Sequence, residues 1–195
     1  MRIIGITGGV GTGKSKVLDY LENEYQATVR QLDKVAKELQ GKGTPCYDAI
    51  VEVFGSEVLL PDGRLDRRKI AKVMFSNSDK RQQMNKIVHP KVKEWIGEDI
   101  KKERLKGVPL YIIEAALLVE DNYKEICDEL WFIYSEKSAR ISRLKKSRGY
   151  SKEKIVQIMN TQLSDQEFRE NTDVTIDNSG RFEETIREIN AILKG

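Results

Sequence analysis

The chain has 195 residues, of which 33% are charged and 39% hydrophobic, and its formal net charge is only +3. That length suits one compact domain with a sizeable core and room for an inserted subdomain, while the near balance of charge excludes a dedicated nucleic-acid binder, which shows a basic stripe with interleaved aromatics. No apolar run is long enough for a signal peptide or a membrane span, and Cys46 and Cys127 are far apart with neither in a CxxC nor near a second soft ligand, which argues against a disulfide framework or a zinc site. The chain is expected in the cytoplasm, with no nucleic-acid or membrane partner, as a monomer or weak oligomer.

Taken in order, the first element is a short apolar run at residues 2–6, read as a strand. Directly after it, Gly8-Gly9-Val10-Gly11-Thr12-Gly13-Lys14-Ser15 satisfies GxxxxGK[ST], the P-loop pattern. Small residues at Gly9, Gly11, Thr12 and Gly13 let the backbone wrap phosphate oxygens, and successive N–H groups form an anion nest. Lys14 reaches the β- and γ-phosphates, the Ser15 hydroxyl is a hard oxygen ligand for Mg²⁺, and the helix running on through Lys16 adds its N-terminal dipole. Average residue frequencies make the four fixed positions a chance match in on the order of one chain in a hundred. The setting is also right, with a strand before the motif and Val17, Leu18 and Leu21 on one helix face after it.

A second strand is expected at residues 28–32, and Asp33 ends it as a helix N-cap or as the carboxylate that orients an attacking hydroxyl. The gap that follows, residues 37–107, is too long for a simple crossover and is read as a helical insertion. Within it, residues 41–45 and 60–64 read as turns, and His89-Pro90 as a helix boundary. His89, the sole histidine, is taken as structural. Strands follow at residues 110–113, 130–134 and 174–176, with Glu114 at the end of the third. Between the last two, Arg140, Arg143, Lys145, Lys146 and Arg148 make a basic helix, suited either to a lid over a transferring phosphoryl or to an ordinary solvated face near a helix C-terminus. Phe182, Ile186, Ile189 and Leu193 share one face of a closing helix. The alternation predicts an α/β fold, a P-loop NTPase with a five-stranded parallel sheet flanked by helices, a helical substrate-binding insertion and a lid.

The motif binds a nucleotide without choosing a reaction. A GTPase lacks its NKxD element here, since Asn85-Lys86-Ile87-Val88 has no Asp. A motor ATPase is usually longer. The residues therefore favour a small-molecule kinase, with a nucleotide-dependent regulatory protein as the alternative.

The opening IIGITGGVGTGKS, then Leu32-Asp33-Lys34-Val35-Ala36, Leu60-Pro61-Asp62-Gly63-Arg64-Leu65-Asp66-Arg67, His89-Pro90, Leu117-Leu118-Val119-Glu120 and Ile176-Asp177-Asn178 resemble, in order and approximate spacing, the dephospho-coenzyme A kinase family. The resemblance implies transfer of the ATP γ-phosphate to the ribose 3′-hydroxyl of dephospho-coenzyme A, with Mg²⁺. It implies a single kinase domain over 1–195, divided into a nucleotide-binding core (1–36 and 107–195), a helical coenzyme A-binding insertion (37–106) and a lid (140–165). It makes Gly11, Thr12, Gly13, Lys14, Ser15 and Lys16 the ATP-phosphate ligands, Asp33 the base and Arg143 the lid arginine. The chain departs from the family at Gln31, where the first Asp of an Asp-Ala-Asp element is usual, at Glu114-Ala115-Ala116 in place of Asp-x-Pro, and at Ser147-Arg148 in place of Arg-Asp.

Overall fold

The computed structural model describes residues 1–194. Its five strands are β1 (Arg2–Thr7), β2 (Thr28–Gln31), β3 (Leu110–Glu114), β4 (Glu129–Tyr134) and β5 (Val174–Asp177). They form one parallel sheet in the order β2-β3-β1-β4-β5, with Ile4 facing Ile112 across the β1–β3 pair and Glu129 across the β1–β4 pair. The helices, in chain order, are α1 (Lys14–Tyr25), α2 (Leu32–Leu39), α3 (Pro45–Phe54), α4 (Arg67–Ser76), α5 (Ser78–Leu105), α6 (Lys137–Arg148), α7 (Lys152–Met159), α8 (Asp165–Asn171) and α9 (Phe182–Lys194). The chain divides into two compact units, one of residues 1–30 with 107 onward and one of residues 31–106.

In the first unit the central strands are buried on both faces, which is why β1 and β4 read as continuous apolar runs rather than alternating ones. Ile4, Ile6, Ile112, Trp131, Ile133 and Ile176 pack against Val17, Leu18 and Leu21 of α1 and Ile189 of α9. Each such fully buried aliphatic side chain contributes about 1.5–3 kcal/mol. On the far side Phe168 of α8 stacks on Phe132 with ring centroids 4.7 Å apart. The expected face of α9 gains a member that hydrophobicity does not flag, Thr185, which is 1% exposed.

The second unit is helical. Thr44 caps α3 by accepting from the Tyr47 N–H, with Pro45 in the first turn, and Asp66 caps α4 by accepting from the Arg68 and Lys69 N–H groups. The turn at residues 60–64 closes through Leu60 N–H to Arg64 O and Gly63 N–H to Leu60 O.

Three boundaries differ from expectation. Pro90 does not end a helix, because α5 runs through it for 28 residues. Met84, Val88, Val92, Ile96 and Ile100 recur every four residues and are all buried, so an apolar stripe on both sides of the proline outweighs the one hydrogen bond it removes. Leu32 is not the last residue of β2 but the first of α2, turned inward at 6% exposure. In consequence Gln31 is the cap residue of α2 and Asp33, expected there, lies exposed in the first helical turn.

Candidate active site

Residues 8–15 leave β1 at its carboxyl end. β1 lies between β3 and β4, so successive crossovers depart to opposite sides, and open α/β sheets hold ligands at that switch point. The loop's backbone carbonyls are gripped by side chains from far along the chain. Arg140 of α6 donates from Nε to Val10 O at 2.9 Å. Asn178, just past β5, donates from Nδ2 to Thr12 O at 2.7 Å, and Arg143 donates from Nη1 to the same oxygen at 3.2 Å. Because C=O and N–H of a trans peptide point opposite ways, holding these two carbonyls turns the Gly11 and Gly13 N–H groups to the other side of the loop. The anion nest is thus aimed by the grip on its outer edge. The Val10 N–H instead donates to Gln162 Oε1 at 2.8 Å, and Thr12 closes the loop on itself through Oγ1 to Gly9 O at 3.0 Å.

The glycines at two positions are required by this packing. A Cβ on Gly9 would stand 2.3 Å from Arg140 Nη2. Gly13, at φ +86°, is in the left-handed region, and a Cβ there would meet Asn178 Nδ2 at 2.4 Å. Gly13→Ala is expected to cost about 1–3 kcal/mol of stability through backbone strain alone and to weaken phosphate binding more than tenfold, on the order of losing one charge-assisted hydrogen bond. Thermal melting and ATP titration check both; an unchanged melt with unchanged ATP affinity contradicts the packing account.

Lys14 opens α1. Its Nζ donates to Gly8 O at 2.6 Å and stands 3.8 Å from Glu114 Oε1 at the end of β3. Ser15 follows in the first helical turn and Lys16 after it, where Lys16 Nζ lies 4.1 Å over the Phe182 ring. Ser15 and Glu114 are hard oxygen donors of the kind Mg²⁺ takes singly or in pairs, filling its other positions with phosphate oxygens and water. Among the described residues no group of three or more His, Cys, Asp or Glu is placed to hold a metal.

The basic helix splits in two. Lys145, Lys146 and Arg148 are exposed, as a solvated helix end would be. Arg140 is 7% exposed and pairs with Asp165 at 3.5 Å. Burial draws its pKa below the ordinary value, with Asp165 and Tyr134 opposing, and a guanidinium withstands this without losing its proton. Arg143, expected over the transferring phosphoryl, donates in this structure to Thr12 O, to Ser135 Oγ at 2.9 Å and to Asn178 O at 2.6 Å, bracing the loop from outside.

Within the helical unit, Asp33 lines a cavity of about 270 Å³ whose walls include Ile70, Met74, Met84, Val88 and His89, with Lys37 and Arg67 among its polar lining. A second cavity, of about 590 Å³, is lined by Lys42, Arg64, Arg67 and Arg68 beside Leu60 and Leu65. The sequence reads His89 as a structural residue in a turn; its helical placement on this wall is what brings it beside Asp33's cavity. Of the residues that join the phosphate loop or its supports, Ser135, Gln162 and Thr185 have no sequence signal that singles them out for the site. Asn178 alone carries one, as the last residue of a motif segment.

A sequence model of the dephospho-CoA kinase family matches residues 2–184. The chain is 36% identical to a dephospho-CoA kinase of Bacillus cereus over 192 residues, covering 98% of this chain and 96% of that one. Its fold superposes on a Thermus thermophilus crystal structure with a TM-score of 0.84 at 27% identity, covering 99% of this chain and 96% of that one. It also superposes on the dephospho-CoA kinase of Campylobacter jejuni with a TM-score of 0.72 at 20% identity, covering 100% and 99%, a likeness of fold.

Proposed function

The chain belongs to the dephospho-CoA kinase family, a phosphotransferase family with ATP as donor, and on that premise we propose that it phosphorylates the ribose 3′-hydroxyl of dephospho-coenzyme A, releasing coenzyme A and ADP. The observation that carries the nucleotide half of the reading is the gripped loop: two carbonyls tied back by Arg140, Arg143 and Asn178, with Lys14 at the mouth of the helix that follows.

Gly9, Gly11, Thr12 and Gly13 shape the nest that takes the β- and γ-phosphates, and Lys14, Ser15 and Lys16 bring their charge, hydroxyl and helix-end N–H groups to it. Ser15, with Glu114 nearby, would hold Mg²⁺, which would neutralise phosphate charge. Lys14 follows the charge that moves from the γ-phosphoryl toward the β–γ bridging oxygen as that bond breaks. Arg143 and Arg140 act through the loop they hold. Both belong to the segment we assign as the lid, residues 140–165.

The helical unit is assigned the acceptor. Asp33 stands on a cavity with an apolar floor, and the neighbouring basic cavity suits the diphosphate that dephospho-coenzyme A carries. There Asp33 accepts a hydrogen bond from the 3′-hydroxyl, aligns its oxygen for in-line attack and receives its proton as the new P–O bond forms. Among the described residues no helix is long and apolar enough to cross a membrane. We also retain the expectations of a cytoplasmic chain without nucleic-acid partners, as a monomer or weak oligomer.

Acceptor competition tests the reading. With Mg-ATP in excess, dephospho-coenzyme A is expected to stimulate ADP release, and shikimate, gluconate and nucleoside monophosphates to leave it at the basal rate. Stimulation by one of those instead would reassign the acceptor.

A further inference from the structure

We propose that Thr185 is a positioning residue for ATP: through Asn178 it fixes the peptide between Thr12 and Gly13 and so sets the affinity of the loop for phosphates. The inference rests on the reading that this loop holds ATP, and it concerns a hydroxyl on α9 that acts on the loop only through another side chain.

Thr185 is 1% exposed and Asn178 3% exposed. The Thr185 hydroxyl lies 3.1 Å from Asn178 Oδ1 and 2.9 Å from Asp177 O, with one proton to give. On its other side the Asn178 amide donates from Nδ2 to Thr12 O at 2.7 Å, and its backbone N–H donates to Tyr134 O at 2.8 Å. The carbonyl of Thr12 can only accept, so the amide has one workable orientation, and the hydroxyl supports it by sharing its proton between Asp177 O, the nearer acceptor, and the amide oxygen. A reversed amide would set oxygen against oxygen at the loop and turn its NH₂ toward the hydroxyl.

Ser135 completes the frame. Its hydroxyl is 2.7 Å from Asn178 O and 3.1 Å from Thr12 O, and it accepts from Arg143 Nη1. With its proton given to the shorter contact, Thr12 O keeps two donors, Asn178 and Arg143, one for each lone pair. Loss of the Thr185 hydroxyl leaves Asn178 Oδ1 buried without its donor, a condition that costs more than the hydrogen bond itself gains. The amide then rotates or withdraws, the Thr12–Gly13 peptide keeps only the longer Arg143 contact of its two outer anchors, and the Gly13 N–H is held less firmly toward the phosphates.

Thr185→Val removes the hydroxyl at nearly constant shape. ATP titration of the whole protein, followed by steady-state kinetics with dephospho-coenzyme A, is expected to give a Kd and a KM for ATP raised roughly tenfold, with the KM for dephospho-coenzyme A unmoved. Thr185→Ser, which keeps the donor, is expected to restore the ATP values. Unchanged ATP affinity in Thr185→Val overturns the proposal. So does equal weakening toward both substrates, or a serine variant no better than valine, since those outcomes mark a purely structural side chain. Should the valine variant fail to fold, the unsubstituted protein decides by NMR. The Asn178 Nδ2 proton directed at Thr12 O should exchange with solvent much more slowly than a free primary amide, and exchange at the free rate overturns the proposal. If the unsubstituted protein does not bind ATP at all, it is the functional reading that fails, not the relay.

Discussion

Lys14→Ala is expected to lower turnover by about a thousandfold while the chain stays folded. The Lys14 ammonium sits at the start of α1, 2.6 Å from Gly8 O, on a segment that carries no core packing of its own; the apolar anchors of α1 begin at Val17. A single pre-placed donor to developing charge is worth about 10² to 10³ in rate, and a full cation at a transferring phosphoryl reaches about 10³ to 10⁵. The structural cost is smaller. Glu114, 15% exposed at its side chain, loses a cation 3.8 Å away, and a partly buried polar group so treated costs about 1–3 kcal/mol. Circular dichroism and a melt should therefore show a folded, moderately weakened protein. A variant that turns over at near the normal rate removes Lys14 from the chemistry.

Asp33→Asn is expected to lower kcat by about 10² to 10⁴, the range of a positioned general base, with ATP affinity kept. The substitution is nearly isosteric, and the fold does not depend on the carboxylate. Asp33 is exposed in the first turn of α2 and makes no cap there, the cap residue being Gln31. It lines a cavity of the helical unit, to which the acceptor is assigned, so the loss belongs in the chemical step. Weakened ATP binding with normal turnover would place Asp33 on the donor side and contradict its assignment.

Most of the phosphate loop is legible in the sequence because its logic is local. Gly8 to Ser15 need only their own small side chains, one strand before and one helix after, and each of those is written in adjacent residues. The sheet is legible for a related reason: strands buried on both faces leave unbroken apolar runs such as Leu-Trp-Phe-Ile-Tyr at residues 130–134. The grip on the loop is not legible. Thr12 is joined to Arg143 across 131 residues and to Asn178 across 166, and nothing in the local pattern around a buried Asn or Thr announces a partner so distant. The same blindness hides that Arg143 and Arg140 hold carbonyls of the loop, which makes Arg140 look like part of a solvated face. Pro90 shows the opposite error. A strong local signal for a helix end is overruled by the buried stripe from Met84 to Ile100, whose spacing is present in the sequence but is masked there by the proline.

The central claim is the reaction, and it is tested most directly by ADP release from Mg-ATP by the purified protein, with and without dephospho-coenzyme A, and with the product identified by mass. The account predicts a large acceptor-dependent rate that yields coenzyme A in step with ADP. ATP binding without any stimulation by dephospho-coenzyme A, in a folded protein, would contradict it.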